Sequence, residues 1–268
     1  MEQSISQNLE RALADTEADA SAALKASEAV VTSVRKFRAA AKSGNLRELH
    51  ASIEAAEKAI AGLRQQFANA KDGWRFDGEQ YIASGDYTKE VVAVAERAGV
   101  RIFERDERLY CYPSLIRVSS NEKAVFIDKK RESRIRPSVL VDILKDRQRK
   151  PPRFRPENFL AALFAAYSRA VAIRGKGLSL EIAPVIPLVD IYELLTLLPG
   201  QSREYTKQEF ARDIYLLHRS GVGATNTGAR VTFPISRPVR GKILTVIDEA
   251  GEEKRYYGIC FTSGSREP

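Results

Sequence analysis

The sequence predicts an α+β protein in which an N-terminal antiparallel coiled-coil helical hairpin, residues 1–71, precedes an α+β body. Apolar residues recur every three or four positions through the first part, which is the period of a helix that packs on another helix. Short apolar runs separated by brief polar turns follow in the body and are typical of antiparallel strands. With 268 residues, of which 44% are hydrophobic and 29% charged, the chain is long enough for about two domains that each bury a core.

The hairpin is predicted from two stretches of alternating four- and three-residue spacing, over residues 9–41 and 46–70. Between them, Gly44 suits the left-handed residue that ends a helix, and Asn45 with Glu48 forms a capping box that begins the next one. We expect a first helix of about 38 residues, roughly 57 Å long, that outruns the second by about ten residues or more. Alanine and serine at many positions of the repeat favour a close approach of the two helices. We expect the overhang to pack on the body, on a second copy or on a partner.

Residues 72–186 are predicted to form an α+β region with antiparallel strands. A loop rich in glycine and aspartate over 71–85 marks its start, and helical spacing then continues to Gly99. Further helices begin at Pro137, which suits the first turn of a helix, and near Phe159. The connections between the strand-like runs are short, which favours hairpins. These runs cover residues 100–103, 109–112, 115–118 and 124–127.

Residues 187–268 show an order of elements found in a known superfamily. A leucine-rich helix ends at Pro199, and Thr206 with Glu209 forms a capping box that begins another helix, which runs to Gly221. Strand-like segments follow at 230–234, 242–248 and 255–261. The order helix, tight turn, helix and β-hairpin resembles the winged helix-turn-helix superfamily over residues 187–262. The resemblance implies at least one winged-helix unit, and residues 86–128 show a similar order without an identifiable repeat.

The positive charge of the chain is concentrated in one segment. The formal net charge is +8, and residues 129–155 alone hold eleven basic and three acidic side chains. Concentrated cations release counterions from a phosphate backbone, which gives sequence-independent affinity for nucleic acid. A solubilising linker is the alternative. The segment supplies the main candidate nucleic-acid-binding residues, which are Lys145, Arg147, Arg149, Lys150, Arg153 and Arg155.

A second set of candidates follows from the winged-helix resemblance. In that superfamily the second helix places a polar face in the major groove of DNA. The helix that begins at Thr206 carries Gln208, Arg212 and Arg219 on such a face, whereas we expect Tyr215 to pack. Helices and wings of this type also dock on proteins, so both interpretations stay open. The residues that flank the wing are Arg230, Arg237, Arg240 and Lys242.

An enzyme is the weaker interpretation. Asp128 and Lys130 follow an apolar strand and look like the metal-binding half of the PD-(D/E)xK nuclease signature, which would hold Mg²⁺. The partner aspartate is missing from the start of the preceding strand, where Ser114 stands. Two cysteines and two histidines favour neither a disulfide framework nor a zinc site. The glycine-rich segment 223–228 lacks the lysine that a P-loop needs. We therefore expect no catalytic activity, no bound metal and no cofactor.

These observations predict a non-enzymatic accessory subunit of a DNA-processing or bacterial defence complex. It would bind nucleic acid, duplex DNA by preference, and use the helical hairpin to assemble with a protein partner or with itself. The alternative is a protein adaptor, because tandem winged helices also resemble the partners of SMC-type ATPases. The sequence shows neither a membrane-spanning run nor a secretion signal, so we expect a cytoplasmic protein with no membrane partner.

Overall fold

The computed structural model describes residues 8–105, 108–150, 154–175, 183–234 and 243–263. The packing of the chain divides it into two compact units that each contain several segments. Unit 1 comprises the described residues of 1–98, 118–126 and 130–143, and unit 2 those of 99–117, 127–129 and 144–268. None of the helices in the described part is both long and apolar enough to cross a lipid bilayer.

The fold mixes helices and antiparallel strands, as predicted. The helices are α1 (Leu9–Ser43), α2 (Leu46–Gly73), α3 (Gly78–Ala83), α4 (Asp86–Arg97), α5 (Pro137–Gln148), α6 (Pro156–Ile173), α7 (Leu188–Leu195), α8 (Gln201–Glu204) and α9 (Lys207–Ser220). The strands are β1 (Phe103–Arg105), β2 (Arg108–Cys111), β3 (Ser114–Ser119), β4 (Ala124–Ile127), β5 (Lys130–Glu132), β6 (Ile186–Pro187), β7 (Ala229–Thr232), β8 (Leu244–Ile247), β9 (Glu253–Tyr256) and β10 (Gly258–Ser263). Helix α3 lies where the sequence predicted a loop, and β5 was not predicted.

The long helical pair at the N-terminus is confirmed, with one correction to its length. Helix α1 ends at Gly44, whose φ of 73° is left-handed, and the Asn45 side chain accepts a hydrogen bond from the Glu48 amide to begin α2. Helix α1 has 35 residues and α2 has 28. The expected excess of about ten residues or more is therefore wrong. The reason is that α2 continues to Gly73, beyond the end of its apolar repeat.

The first turn of α1 is held by a carboxylate of α4. Glu90 accepts hydrogen bonds from the backbone amides of Leu9 at 3.1 Å and Glu10 at 3.0 Å, and from the Tyr81 hydroxyl at 3.0 Å. Amides in the first turn of a helix have no partner within the helix, and negative charge is favoured at that end. Glu90 is only 9% exposed, so these bonds satisfy a buried charge and fix where α1 starts.

Glu10 in turn holds the start of α5. Its carboxylate accepts from Nε of Arg136 at 2.7 Å and from the Ser138 amide at 2.8 Å and hydroxyl at 2.9 Å. Arg136 also donates to Glu17 at 2.6 Å. Burial alone would raise the pKa of Glu10, but the hydrogen bonds from Arg136 and Ser138 outweigh it and lower the pKa below its ordinary 4.5. Two carboxylates, those of Glu90 and Glu10, therefore connect the start of α1 with α4 and α5 within unit 1.

Unit 2 has its core around α6. Buried side chains of α6, α7 and α9 pack with β10, and the ring centroids of Tyr167 and Phe261 lie 5.1 Å apart. Helix α9 begins with the predicted capping box between Thr206 and Glu209. Strand β10 pairs with β6 on one side and with β7 on the other, and β8 pairs with β9.

The strands of unit 2 fall on the three segments expected after α9, with their pairing now defined. In the described residues β7 pairs with β10, through Val231 opposite Phe261, and β8 pairs with β9, through Leu244 opposite Tyr256. The predicted strand 255–261 is divided at Tyr257, whose carbonyl accepts from the Leu188 amide at 2.8 Å.

The Glu10 contacts predict a pH-dependent contribution to stability. Because the folded pKa lies below the unfolded value, the contribution is complete above about pH 5 and is lost as the pH falls through the folded pKa. We expect Glu10→Gln to lower the free energy of unfolding by about 1–2 kcal/mol at pH 7 and by much less near pH 3. Urea unfolding followed by circular dichroism measures this. The control is Glu96→Gln, an exposed glutamate of α4. An equal loss at both pH values would contradict the assignment.

Candidate nucleic-acid interface

The cations of segment 129–155 do not form one solvated set, contrary to expectation. The segment is divided between the two units, and several of its cations face carboxylates. The Arg134 hydrogen bond lowers the pKa of Glu132 to about 2. In unit 1 the ion pairs are Arg131 with Glu122 at 3.8 Å, Arg134 with Glu132 at 2.8 Å and Arg136 with Glu10 at 2.7 Å. Lys130, the second catalytic candidate, is exposed on β5.

In unit 2 the candidates from this segment fall into two groups. Arg147 pairs with Asp128 at 3.4 Å, and Lys145 is half-buried. Three others are exposed, and within the described part of the chain none of them has a carboxylate within 4 Å. They are Arg149 and Lys150 at the end of α5 and Arg155 at the start of α6. We call these three residues the α5–α6 cations. Arg153 lies outside the described residues.

Asp128 is a structural ion-pair centre. Its Oδ2 accepts from the Ser114 hydroxyl at 2.7 Å and faces Arg147, and its Oδ1 accepts from the Leu115 amide at 3.0 Å and from Arg212 at 3.0 Å. Both oxygens are therefore already engaged by donors. A metal ion at Asp128 would have to displace two guanidinium groups. Among the described residues no group of three or more His, Cys, Asp or Glu side chains could hold a metal. The geometry gives Asp128 a role in ion pairing within unit 2.

The polar face of α9 is occupied by contacts within unit 2. Arg212 donates to Asp128 and Asp213, both at 3.0 Å, and its side chain is 19% exposed. Arg219 is paired with Glu249. The helix face that was expected to read base edges therefore directs its two arginines at carboxylates of the same unit. Arg212, which was expected to orient the protein on DNA, is therefore engaged in ion pairs within unit 2.

Tyr215 and Gln208 complete that face. Tyr215 is buried, its ring stands edge-on to Tyr112 at 5.6 Å, and its hydroxyl donates to Glu249 at 3.0 Å. Gln208 is half-buried beside a cavity of about 250 Å³. Tyr215 thus packs, as expected.

A compensated network of charges surrounds Arg212. Glu209 is 8% exposed, accepts from the Thr206 amide at 2.8 Å and pairs with Lys129 at 3.1 Å. Asp213 accepts from the Tyr205 hydroxyl at 2.8 Å, and burial raises the pKa of Asp213 despite the neighbouring Arg212. In this network each of the two carboxylates faces a cation, Lys129 for Glu209 and Arg212 for Asp213.

The remaining candidates are on and after β7. Arg230 is exposed, and no carboxylate faces it in the described residues. Arg237, Arg240 and Lys242 lie outside the described residues. Cys111 is 1% exposed, and burial together with the charge of Asp128 raises the pKa of its thiol to about 12, so it is a poor nucleophile.

Comparisons with protein-family models, with curated proteins and with solved structures find no match for the chain. The function of this protein is therefore inferred from the geometry and charge of its described residues.

The Asp128–Arg212 pair predicts a coupled loss of stability. We expect Asp128→Asn and Arg212→Met each to lower the free energy of unfolding by about 1–3 kcal/mol, since each removes a charge-assisted hydrogen bond from a partly buried charge that keeps one other partner. The double variant should lose clearly less than the sum, because it removes both charges. Urea unfolding measures all three, with the exposed Arg230→Met as control. Strict additivity would contradict the coupling.

Proposed function

We propose that the chain is a non-enzymatic accessory subunit that binds the phosphate backbone of nucleic acid through the α5–α6 cations. Within the unit 2 part of segment 129–155, one observation favours these three residues. Arg149, Lys150 and Arg155 are exposed and face no carboxylate in the described part of the chain, whereas Arg147, Arg212 and five further cations of units 1 and 2 are neutralised. Those five are Lys129, Arg131, Arg134, Arg136 and Arg219. Cations without a protein partner are the ones that gain from releasing phosphate counterions.

Binding at this site would not depend on base sequence. Contacts to phosphate position a protein on nucleic acid, and contacts to base edges supply specificity. The arginines of α9 that would reach base edges are held by Asp128, Asp213 and Glu249. The proposal therefore keeps the basic segment as the source of affinity and abandons α9 as the reader of sequence.

Duplex is the preferred partner form. Proteins that bind single strands stack bases on exposed aromatic rings. The aromatic residue nearest to the α5–α6 cations in sequence is Phe154, which is half-buried and stands edge-on to Phe159 at 5.5 Å. It packs against the core of unit 2, so its ring offers no open face to a base. Duplex DNA, whose two backbones present phosphates at high density, suits a cluster of cations without an aromatic platform.

We also infer a winged-helix unit in residues 187–262. Its support is the order α7, α8, α9, β7, β8, β9 and β10, with a sheet in which β10 lies between β6 and β7. In this interpretation the exposed Arg230 adds charge to the unit. Arg237, Arg240 and Lys242, which the resemblance assigns to the flanks of the wing, lie outside the described residues. The accessory role in a cytoplasmic DNA-processing or defence complex is part of the same proposal.

A protein adaptor is the second candidate function. It is favoured by the large apolar side chains that α1 and α2 leave exposed, among them Leu24, Leu46 and Phe67. Exposed apolar surface of this extent marks a protein-interaction site. The two functions are compatible, because the apolar surface belongs to unit 1 and the α5–α6 cations to unit 2. We propose that the hairpin mediates assembly.

The test of nucleic-acid binding is a salt titration. Fluorescence anisotropy with a labelled 20-base-pair duplex of random sequence should show the affinity falling roughly 40-fold from about 50 to 200 mM salt if three phosphates are contacted. The variant R149Q/K150Q/R155Q should bind weakly and reduce the slope of log K against log salt by about 2–3.

The matched control is K25Q/K58Q/K71Q, which removes the same charge from exposed lysines of α1 and α2. It should keep the slope of the wild type. An equal effect of both triple variants would show that net charge alone attracts the duplex. Salt-independent binding, or none, would refute the proposal and favour the adaptor.

A further inference from the structure

In the described part of unit 1, an extended row of exposed apolar side chains lies along the hairpin. Helix α2 carries large apolar residues at intervals of seven, namely Leu46, Ile53, Ile60 and Phe67. Leu46, Ile60 and Phe67 are 68%, 40% and 65% exposed. Helix α1 adds Leu24 at 63%, Val31 at 48% and Val34 at 44%. We call these seven residues the outer strip.

The hairpin buries none of these seven side chains completely. The buried side chains of α1 and α2 are mostly small, with Ala12 and Ala40 on α1 and Ser52 and Ala56 on α2. Small residues allow the two helices to approach closely. Larger residues of the repeats, such as Leu49, Ile53 and Leu63, are half-buried beside them, whereas Leu46 and Phe67 stay mostly exposed. A repeat of seven keeps such residues in one row along a coiled coil. The row from Leu46 to Phe67 is about 32 Å long at ~1.5 Å per residue.

The exposed residues of α1 lie level with those of α2. A Cβ on Gly73 would lie 3.2 Å from the Asp19 carboxylate, which places these two residues opposite each other at the base of the hairpin. Because the helices are antiparallel and rise equally per residue, Leu24 is then level with the turn that holds Phe67. Val31 is level with the turn that holds Ile60. The exposed residues of α1 and α2 in the outer strip therefore lie at the same heights along the hairpin.

The charges of α1 indicate what covers the strip. The half nearer the base, residues 9–28, carries five acidic and two basic side chains, and two of the acidic ones, Asp19 and Glu28, face no cation in the described residues. The half nearer the tip, residues 29–43, carries four basic side chains and no acidic one, namely Arg35, Lys36, Arg38 and Lys42. Two hairpins placed side by side in the same direction would set like charges together. Placed in opposite directions, the acidic half of one meets the basic half of the other.

We propose that the outer strip pairs with the outer strip of a second copy of this chain, antiparallel, to form a four-helix bundle. The inference deepens the assembly role proposed above for the hairpin. In a dimer with a two-fold axis, both copies use the same surface. One rotation then sets the two apolar rows against each other and the acidic half of α1 against the basic half of the other copy's α1. The bundle buries the large apolar residues that a single hairpin leaves in water.

The test is the mass of the full chain in solution by size exclusion with light scattering at about 50 μM. The expected mass is twice the 29.9 kDa of one chain. The variant I60Q/F67Q changes only exposed side chains, so we expect a folded monomer with unchanged helicity. The matched control L197Q/L198Q alters two residues that are 77% and 67% exposed in unit 2 and should stay a dimer. A monomeric wild type, or a dimer that I60Q/F67Q leaves intact, would overturn the proposal.

The orientation has its own test. Glu28→Arg should weaken the dimer, as should the double variant R35E/R38E, at least tenfold each by sedimentation equilibrium. The combined variant E28R/R35E/R38E should recover much of the loss, since it reverses the opposed charges together. Absence of recovery would refute the antiparallel arrangement. Duplex binding by I60Q/F67Q, measured in parallel, should keep the salt slope per chain, so failure of the dimer is distinguishable from failure of nucleic-acid binding.

Discussion

The ion pair between Asp128 and Arg212 is the interaction on which the functional interpretation of unit 2 depends. Asp128 sits at the end of β4 with a positive φ of 47°, and its carboxylate is shared by Arg212, Arg147, the Ser114 hydroxyl and the Leu115 amide. Partly buried charges are stable only when paired and hydrogen-bonded. The pair thus ties α9 to the end of β4 within unit 2 and leaves both side chains engaged in ion pairs.

Ion pairs of this kind determine which of the cations behind the net charge of +8 remain available to a ligand. A cation attracts a polyanion most strongly where no carboxylate of the protein already pairs with it. Arg136 is used at the base of the hairpin, Lys129 at the start of α9, and Arg147 beside Asp128. The α5–α6 cations are exposed and face no carboxylate within the described part of the chain. In unit 1 the side chains buried between α1 and α2 are mostly small, and several large apolar side chains of these helices stay exposed.

Local rules predicted most helices and several strands from the sequence. The hairpin turn at Gly44, the capping box at Thr206 and the periodicity of α1 and α2 depend on neighbours a few residues apart. The pairing of β7 with β10 and of Asp128 with Arg212 joins residues far apart in the chain, and periodicity carries no information on such contacts. The candidate site was predicted less well than the fold, because the sequence does not show which arginines pair with a carboxylate in the folded protein. The acidic residues next to them in space, Glu209, Glu249 and Asp128, were the missing signal.

The central claim is that nucleic acid meets the junction of α5 and α6 and leaves α9 untouched. Cross-linking of the full chain to a photoreactive duplex, followed by mass spectrometry of the peptides, tests this most directly. The account predicts cross-links on peptides that contain residues 149–155, reduced at high salt. Cross-links centred on residues 208–219 of α9 would contradict it, as would a duplex that cross-links nowhere on the chain.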